Sequence, residues 1–420
     1  MSHRYPDPDE IDEKLFDRLF ELPDGGKIDI SWLRKNVWSE AQEFEIPPSS
    51  VIRGMQANMF TLKMISRNKS DTEKENEVRQ IIAKRVAPSE LPSKEDNDKL
   101  RQFIKSVRRE IEFYKTLMLP ENKPIQHVFP KVYYSSSTPI TLDDTDPINT
   151  SFLLLLSDLS DEYYQAPSMN KEQANALMKS FASFHAHFWQ NPQLKKMERG
   201  GFWVLKRRLL YGELEKASLT WAGILERFPE LSVMGLTNIN SIAADLSDKA
   251  KILDQFIENK CYTLIHGDAK GWNLFLNKTS NDDIIFIDMQ WAGKGHPLQD
   301  IAYALTTSLN AELLNEMDDF VDEYVKHLQN ELEKRGSQID VEQLRLEYDI
   351  VWLDYARVIV TGLWKNLEPE RMKRYQKTVG PSMINRSLDH VKFIIKRLHH
   401  LLYENQEFSN GLRNLQCDTS

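Results

Sequence analysis

One short segment limits the folds open to this chain more than any other: "LIHGDAKGWNLFLNK", residues 264–278, followed shortly by "IIFID". The apolar runs 274–277 and 284–288 flank "KTSNDD", a loop rich in turn-forming residues, and this pattern predicts a β-hairpin. Counting outward from the middle of the loop places Asn273 opposite Asp288. We therefore expect these two side chains to face each other at one end of the hairpin.

The polar residues around this hairpin match the template for phosphoryl transfer. The carbonyl of Asn273 and the carboxylate of Asp288 are hard oxygen donors that suit Mg²⁺ together with substrate phosphates. Asp268 precedes Asn273 by five residues, so it lies on the loop entering the hairpin, where it can accept a proton from a hydroxyl. Lys270 lies between them, where a cation can offset charge on the transferring phosphate. The pattern predicts catalytic roles for Asp268 and Lys270 and metal binding by the other two residues.

Structural interpretations of the same residues stay open. Most Asp and Asn residues near hairpins are turn or cap residues, and Asp268, Asn273 and Asp288 could each be one. Lys270 could equally be a solvated lysine of the loop. His266 is expected to support the loop rather than react. The joint match of loop, hairpin and second aspartate to one template favours the chemical interpretation.

The first hundred residues are rich in predicted strands and supply candidates for nucleotide binding. "VIRGMQANMFTLKMIS" predicts two strands with a short loop at Gly54, and "EVRQIIAKRVAP" predicts a third strand whose alternation places Lys84 on an apolar face. A long amphipathic helix is predicted over residues 94–119. Helical phase puts Glu110 on its buried stripe and Glu112 on the far side, so Glu110 is predicted to reach Lys84. The loop at Gly54 is expected to cover the phosphates.

Composition and periodicity divide the chain into four parts. These are an acidic extension ending in a turn signal (1–27), a small β-rich lobe (28–156), a large and mainly helical lobe (157–405) and a polar C-terminal tail (406–420). "SFLLLLSDLSD" predicts a buried strand that runs into a polar turn. After Asn170 the periodicity is helical almost throughout, except over residues 262–290. The expected fold class is therefore α+β with two lobes.

The composition also bounds the function. A formal charge of −9 on 420 residues argues against a bulk electrostatic grip on nucleic acid or on an acidic membrane. The longest aliphatic run is too short to span a bilayer, and the N-terminus lacks a signal-peptide pattern. The two cysteines, Cys261 and Cys417, cannot form a disulfide framework. We expect a cytoplasmic protein whose partner is a small molecule, with no nucleic acid and no membrane involved.

Several motifs of other enzyme classes are missing from the sequence. No D-F-G follows the hairpin, which continues "IDMQW", and no A-P-E closes an activation segment. Protein-kinase activity is therefore disfavoured. The sequence also lacks the P-loop, the G-x-S-x-G elbow and the H-E-x-x-H zinc motif.

These motifs resemble those of small-molecule kinases related to aminoglycoside phosphotransferases and choline kinases, and most of all the ecdysteroid kinase-like group with its CHK kinase-like domain. The most specific segments are "HGDAKGWN", "IIFIDMQWAGKGHPLQDIAYAL", "LMKSFASFHAHFW" and "REIEFYKTL", and the resemblance spans roughly residues 30–400. It implies a bilobal protein-kinase-like fold. It also implies transfer of the γ-phosphate of ATP, with Mg²⁺, to a hydroxyl of a small metabolite.

Carried over position by position, the resemblance implies a role for each matching residue. Those roles are catalytic base for Asp268, metal ligands for Asn273 and Asp288, nucleotide-ordering pair for Lys84 and Glu110, adenine hinge for Ser157, Asp158 and Leu159, and a carboxylate bracing the catalytic loop for Asp300.

Two classes of function remain open. The first is an active ATP-dependent kinase of a small hydroxylated metabolite, and the second is a non-catalytic nucleotide-binding pseudokinase or interaction protein. The complete residue set favours the enzyme, because a degenerate member would typically lack at least one of its residues.

Two further helical segments have more than one interpretation. The helix "VWLDYARVIVTGLW" carries Trp352, Tyr355 and Ile359 at helical spacing; it is interpreted first as core and second as a wall of the substrate site. His185 and His187 lie two positions apart on a helix, so they cannot share one metal ion and are interpreted as packing residues.

Overall fold

A computed structural model describes residues 17–53, 57–67, 76–87, 97–138, 150–280, 282–370, 372–373 and 387–417. The chain divides into two compact units, Met1–Asp161 and Glu162–Ser420. Gly54 of the expected phosphate loop and Pro88 at the end of the third predicted strand lie outside the described residues.

The first unit contains an antiparallel sheet. Its described α-helices of seven or more residues and its strands are α1 (Ile30–Asn36), β1 (Glu43–Glu45), β2 (Ile52–Arg53), β3 (Asn58–Ser66), β4 (Glu77–Val86), α2 (Asn97–Leu117), β5 (Val132–Ser137) and β6 (Phe152–Ser157). The strand order is β1-β3-β4-β6-β5, and β2 pairs with β3. This arrangement confirms the predicted pair of strands, the third strand and the buried strand "FLLLLS".

Alternation along the strands builds the core of this unit. Phe60, Leu62 and Met64 point to the buried face of β3, as the two-residue period of a strand requires. Leu19 and Leu22 are also buried in this core, although the sequence placed them in an acidic extension. Two leucines within a charged segment can seal a sheet face without producing a long apolar pattern.

The strand β4 and the helix α2 are the elements that carry the predicted nucleotide pair. In β4, Lys84 is paired with Met59 of β3 on one side and with Leu154 of β6 on the other. It therefore lies in the interior of the sheet rather than at an edge. The long helix predicted over residues 94–119 is described over Asn97–Leu117.

The second unit is mainly helical. Its described helices of seven or more residues and its strands are β7 (Tyr163–Gln165), α3 (Lys171–His187), α4 (Ala217–Arg227), α5 (Ile242–Asn259), β8 (Thr263–Ile265), β9 (Leu274–Asn277), β10 (Ile284–Phe286), β11 (Gly293–Gly295), α6 (Leu298–Ser308), α7 (Met317–Glu333), α8 (Val341–Thr361), α9 (Leu388–His399) and α10 (Gln406–Cys417). β10, β9 and β7 form one small sheet, and β11 pairs with β8. The hairpin predicted around "KTSNDD" is confirmed as β9–β10.

The central helix of this unit is α8. Trp352, Tyr355 and Ile359 are buried on it, and the indole nitrogen of Trp352 donates a hydrogen bond to Thr306 Oγ1 (3.0 Å). The interpretation of this segment as core is confirmed. Within the described residues, no helix has the length and apolarity needed to cross a membrane.

The C-terminal segment, predicted as a polar tail, is helical over Gln406–Cys417. Its first turn has a cap, because Asn405 Oδ1 accepts a hydrogen bond from the backbone N–H of Phe408 (3.0 Å). A side-chain oxygen at the N-cap satisfies one of the free N–H groups of the first turn and so stabilises the start of a helix.

Candidate active site

The loop between β8 and β9 is held in place by one buried carboxylate. Asp300, near the start of α6, accepts hydrogen bonds from the backbone N–H groups of His266 (2.6 Å) and Gly267 (2.8 Å). This confirms that Asp300 braces the loop. Gly267 has φ +78°, and a Cβ there would lie 2.2 Å from the carbonyl oxygen of Trp291. Only glycine fits this position.

His266 supports the loop through both of its ring nitrogens. Nδ1 accepts a hydrogen bond from the backbone N–H of Asp268 (3.2 Å). Nε2 therefore carries the ring proton and donates a hydrogen bond to the carbonyl oxygen of Ile287 (2.9 Å). The ring is completely buried and joins the loop to the end of β10, which agrees with its interpretation as a supporting residue.

Three side chains donate hydrogen bonds to the carboxylate of Asp268. Tyr303 Oη donates to Oδ1 (2.8 Å), while Lys270 Nζ (2.8 Å) and Asn273 Nδ2 (3.0 Å) donate to Oδ2. The Asn273 amide also donates to the backbone carbonyl of Asp268 (2.9 Å). Asp268 is only 6% exposed. The structure thus brings together Asp268, Lys270 and Asn273, the three residues that the sequence placed on the catalytic loop.

The hairpin register differs by one residue from the register predicted. Leu274 pairs with Phe286, and the backbone N–H of Ile287 donates to the carbonyl of Asn273 (3.0 Å). Asn273 is therefore opposite Ile287, and the prediction that it is opposite Asp288 is wrong. The strands pair symmetrically about residue 280 rather than about the point between residues 280 and 281. Asn277 helps to organise this turn, because its Oδ1 accepts hydrogen bonds from the backbone N–H groups of Thr279 and Ser280.

Asp288 follows β10 in an unusual backbone conformation. Its φ of +63° and ψ of +62° lie in the left-handed region, which costs energy for a residue with a side chain. Such strain is a common feature of functional sites. This conformation turns the chain away from the strand direction directly after Ile287, whose backbone N–H donates a hydrogen bond to Asn273.

The donor set fits a magnesium ion. The amide nitrogen of Asn273 is used by Asp268, so the carbonyl oxygen is its atom suited to a metal. Asp288 contributes a half-buried carboxylate one residue beyond the hairpin partner of Asn273. Mg²⁺ commonly binds one or two oxygen ligands from the protein, while phosphates and water complete its coordination. One neutral and one anionic oxygen match that number.

In the first unit, the predicted nucleotide pair is formed. Lys84 Nζ lies 2.8 Å from Glu110 Oε2, and both side chains are largely buried. Glu112 points to the exposed side and pairs with Lys115 (3.0 Å). The prediction that Glu110, rather than Glu112, reaches Lys84 is confirmed.

The predicted adenine hinge lies at the end of β6. Ser157 pairs with Ile81 of β4, and its backbone N–H donates to the carbonyl of Lys131 (2.9 Å). Asp158 Oδ1 accepts from the N–H of Ser160 (2.9 Å), and Leu159 is half-buried. These three residues form the ordered end of a strand. Their role in binding adenine stays a prediction.

Two groups around the loop were missed from the sequence. Tyr303 belongs to α6, three residues after Asp300, so both residues lie on one face of that helix. His185 is more than a packing residue, because its Nε2 donates to Asp300 (3.2 Å) and its Nδ1 accepts from Tyr324 Oη (2.7 Å). The i, i+3 spacing from the bracing aspartate is the signal that points to Tyr303.

Burial determines the protonation of these partners. It raises the pKa of Tyr303 well above its usual range, and the charge of Asp268 acts in the same direction. It lowers the pKa of His185, although Asp300 opposes this shift. Tyr303 is therefore a protonated hydrogen-bond donor and His185 a neutral imidazole near neutral pH.

The arrangement in the second unit can support general base chemistry beside a metal. A carboxylate is fixed by three donors on a braced loop. Asn273 and Asp288, whose side chains carry hard oxygen donors, lie at the end of the adjoining hairpin. Fixed donors cost little reorganisation when charge moves during a reaction. A hydroxyl presented to Asp268 can lose its proton there as its oxygen forms a new bond.

The chain is similar to a known protein family. The profile described as the ecdysteroid kinase-like family matches residues 54–337. The search of curated proteins found no match.

Solved structures of similar fold include three small-molecule kinases. An amicoumacin kinase in complex with AMP-PNP and Ca²⁺ is 12% identical, with 90% of this chain and 94% of that chain covered and a TM-score of 0.46. The choline kinase of Streptococcus pneumoniae is 14% identical, with coverages of 88% and 98% and a TM-score of 0.37. The ethanolamine kinase of Plasmodium vivax is 13% identical, with coverages of 92% and 91% and a TM-score of 0.40. Likenesses this distant identify no acceptor.

Proposed function

The chain belongs to the ecdysteroid kinase-like family, and we propose that it is an ATP-dependent kinase that phosphorylates a hydroxyl group of a small metabolite. One observation carries this proposal: the buried carboxylate of Asp268 is held by Tyr303, Lys270 and Asn273 on a loop that leads into the hairpin. A residue that served only as a turn cap would not need three side-chain donors.

In the proposed reaction, Asp268 accepts the proton of the acceptor hydroxyl. The acceptor oxygen forms a bond to the γ-phosphorus, the bond from that phosphorus to the β–γ bridging oxygen breaks, and ADP leaves. The products are a phosphate monoester, ADP and the proton released from Asp268. Lys270, whose ammonium group lies beside Asp268, has a second role in this proposal, which is to offset charge on the transferring phosphate.

The roles in nucleotide binding are assigned to residues of the first unit. In this proposal Lys84, oriented by Glu110, orders the phosphates, and Ser157 to Leu159 contact the adenine. The loop at Gly54, which the sequence predicts to cover the phosphates, lies outside the described residues. When bound, Mg²⁺ would be held by Asn273 and Asp288 and would neutralise charge on the phosphates. The pair Lys84–Glu110 is the best supported of these assignments, because its geometry matches the ion pair that positions phosphates in kinase-like enzymes.

The acceptor in this proposal is a small hydroxylated molecule rather than a protein. This choice rests on the family and on the lack of D-F-G and A-P-E segments in the sequence. The alternative function is nucleotide binding without turnover. We also propose a cytoplasmic location, in keeping with the two-cysteine composition.

The test has two stages. Mg-ATP should raise the melting temperature of the purified protein, whereas ATP with a chelator should raise it less. Fractions of a metabolite extract with γ-labelled ATP should then yield a labelled small molecule, identified by mass spectrometry, with Asp268→Asn as the inactive control. Stabilisation by Mg-ATP without ADP release in any fraction would favour the non-catalytic alternative.

A further inference from the structure

We propose that Tyr303 is a positioning residue for the catalytic base: its hydroxyl holds Asp268 Oδ1 so that this oxygen is the one that receives the acceptor's proton. The inference rests on the proposed function, which it deepens. It starts from the uneven distribution of hydrogen-bond donors over the two oxygens of one carboxylate.

Oδ2 of Asp268 accepts two side-chain hydrogen bonds, from Lys270 and Asn273. Oδ1 accepts one side-chain hydrogen bond from the described residues, and its donor is the hydroxyl of Tyr303 (2.8 Å). A carboxylate oxygen has about two lone-pair sites. Oδ2 is therefore saturated, while Oδ1 keeps one site for the hydroxyl of an acceptor.

The ring of Tyr303 is fixed by its aromatic neighbours. Its centroid lies 5.6 Å from that of Phe202, 5.2 Å from that of Trp203 and 5.0 Å from that of Tyr355. Edge and tilted contacts at these distances restrict rotation of a buried ring. The phenol oxygen is thus held at a defined place, and it defines in turn the direction of the carboxylate.

The phenol can only serve as a donor in this contact. Its oxygen faces an anionic oxygen, and it lies in a buried environment that disfavours its own ionisation. It does not exchange a proton with Asp268 during the reaction. In the step itself, the acceptor proton moves to Asp268 Oδ1 while the acceptor oxygen bonds to the γ-phosphorus and the bond to ADP breaks.

A structural explanation makes a different prediction. If the hydroxyl of Tyr303 merely satisfies a buried carboxylate, its removal should lower stability and leave the turnover of the folded protein unchanged. If it positions the base, its removal should lower kcat and leave nucleotide binding unchanged.

The experiment compares Tyr303→Phe with Tyr348→Phe. Tyr348 is a completely buried tyrosine on α8 whose hydroxyl has no hydrogen-bond partner within the described residues. Both substitutions remove one phenolic oxygen and keep the ring. With Mg-ATP and water as acceptor, ADP release should fall on the order of tenfold in Tyr303→Phe, with KM for ATP and stabilisation by Mg-ATP unchanged, and Tyr348→Phe should match the wild type.

A double-mutant cycle with Asp268→Asn identifies the group through which Tyr303 acts. The effect of Tyr303→Phe should disappear in the Asp268→Asn background. Wild-type kcat in Tyr303→Phe, an effect that persists without Asp268, or a loss of melting temperature without loss of kcat would each overturn the inference. Absence of ADP release from the wild-type protein, with water and with every acceptor fraction, would instead contradict the proposed function, and the inference would fall with it.

Discussion

Two aspartates in the second unit are both buried and differ in what surrounds them. Asp268 is 6% exposed and receives neutral and cationic donors from Tyr303, Asn273 and Lys270. Asp354 is 0% exposed and receives hydrogen bonds at Oδ1 from Arg357 Nε (3.0 Å) and Nη2 (2.7 Å).

We propose that this difference separates a reactive site from a structural one. Asp354 is sealed in α8 beside a permanent cation, and burial raises its pKa although Arg357 opposes this. Asp268 lies on a loop next to a hairpin end and keeps a small exposed fraction, 6%, where Asp354 has none. Burial and charge alone do not mark a catalytic carboxylate, and we propose that a partly exposed carboxylate held by fixed donors does.

The largest expected effect concerns the sealed pair. Arg357→Met leaves the carboxyl of Asp354 buried without its cation, so that it must stay charged in an apolar site or take up a proton, and this should cost about 3–5 kcal/mol of unfolding free energy. Urea unfolding measures the loss. Replacing both partners, as Asp354→Leu with Arg357→Met, should recover much of it, because no buried charge is left.

An exposed pair gives the matched control for this loss. Lys334 contacts Glu331 (2.6 Å) on the surface of the second unit. Lys334→Ala should change stability by no more than about 0.5 kcal/mol. Equal losses for Arg357→Met and Lys334→Ala would remove the distinction between sealed and exposed pairs.

A third buried carboxylate adds a pH dependence to the comparison. Burial acts to raise the pKa of Glu347, but hydrogen bonds from His296 and Lys260 outweigh it and lower the pKa to about 2. A lowered folded-state pKa stabilises the fold above the unfolded pKa of about 4.3, and that stability is lost as pH falls from there toward 2. Glu347→Gln should therefore cost about 3 kcal/mol at pH 7.

This cost should shrink as the medium is acidified below about pH 4.3. Urea unfolding at pH 7 and at steps down to pH 3 measures it, with Glu342→Gln, on the exposed side of the same helix, as the control. A difference in stability between wild type and Glu347→Gln that does not change with pH would contradict the lowered pKa of Glu347.

The accessible aspartate should respond in turnover rather than in stability. Asp268→Asn keeps the size of the side chain but removes the base, so kcat should fall on the order of a hundredfold or more while stabilisation by Mg-ATP is retained. Steady-state ADP release and thermal unfolding measure the two properties. A variant that unfolds but keeps its turnover per folded molecule would place Asp268 with the structural carboxylates.

The pair in the first unit should give the smallest effect on turnover. Lys84→Met and Glu110→Gln should each lower kcat/KM for ATP on the order of tenfold, because the phosphates lose their positioning cation or its orientation. Glu112→Gln is the control, since Glu112 pairs with Lys115 on the exposed face. Sensitivity of Glu112 rather than Glu110 would break the assignment.

Local sequence patterns were sufficient to predict much of this site. The contact of Lys84 with Glu110 follows from strand alternation and helical phase, and both are short-range regularities. The strands of the hairpin follow from two apolar runs around a turn-forming loop.

The remaining features depend on contacts that such patterns do not contain. The hairpin register shifted by one residue, and the side chain of Asn277 bonds within the turn, which a count of loop residues does not reveal. Tyr303 reaches Asp268 across 35 positions of sequence. Leu19 is buried in the core of the first unit, although the charged segment around it predicted an exposed extension.

The central claim is that the protein transfers phosphate from ATP to a small alcohol with Asp268 as the base. The most direct measurement incubates wild type and Asp268→Asn with γ-labelled Mg-ATP and the acceptor fraction, then separates protein from small molecules and counts label in each. We predict label in a small phosphate monoester, equimolar with ADP, and at least about a hundredfold less of it in Asp268→Asn. Label on protein serine or threonine, or equal product from both proteins, would contradict the claim.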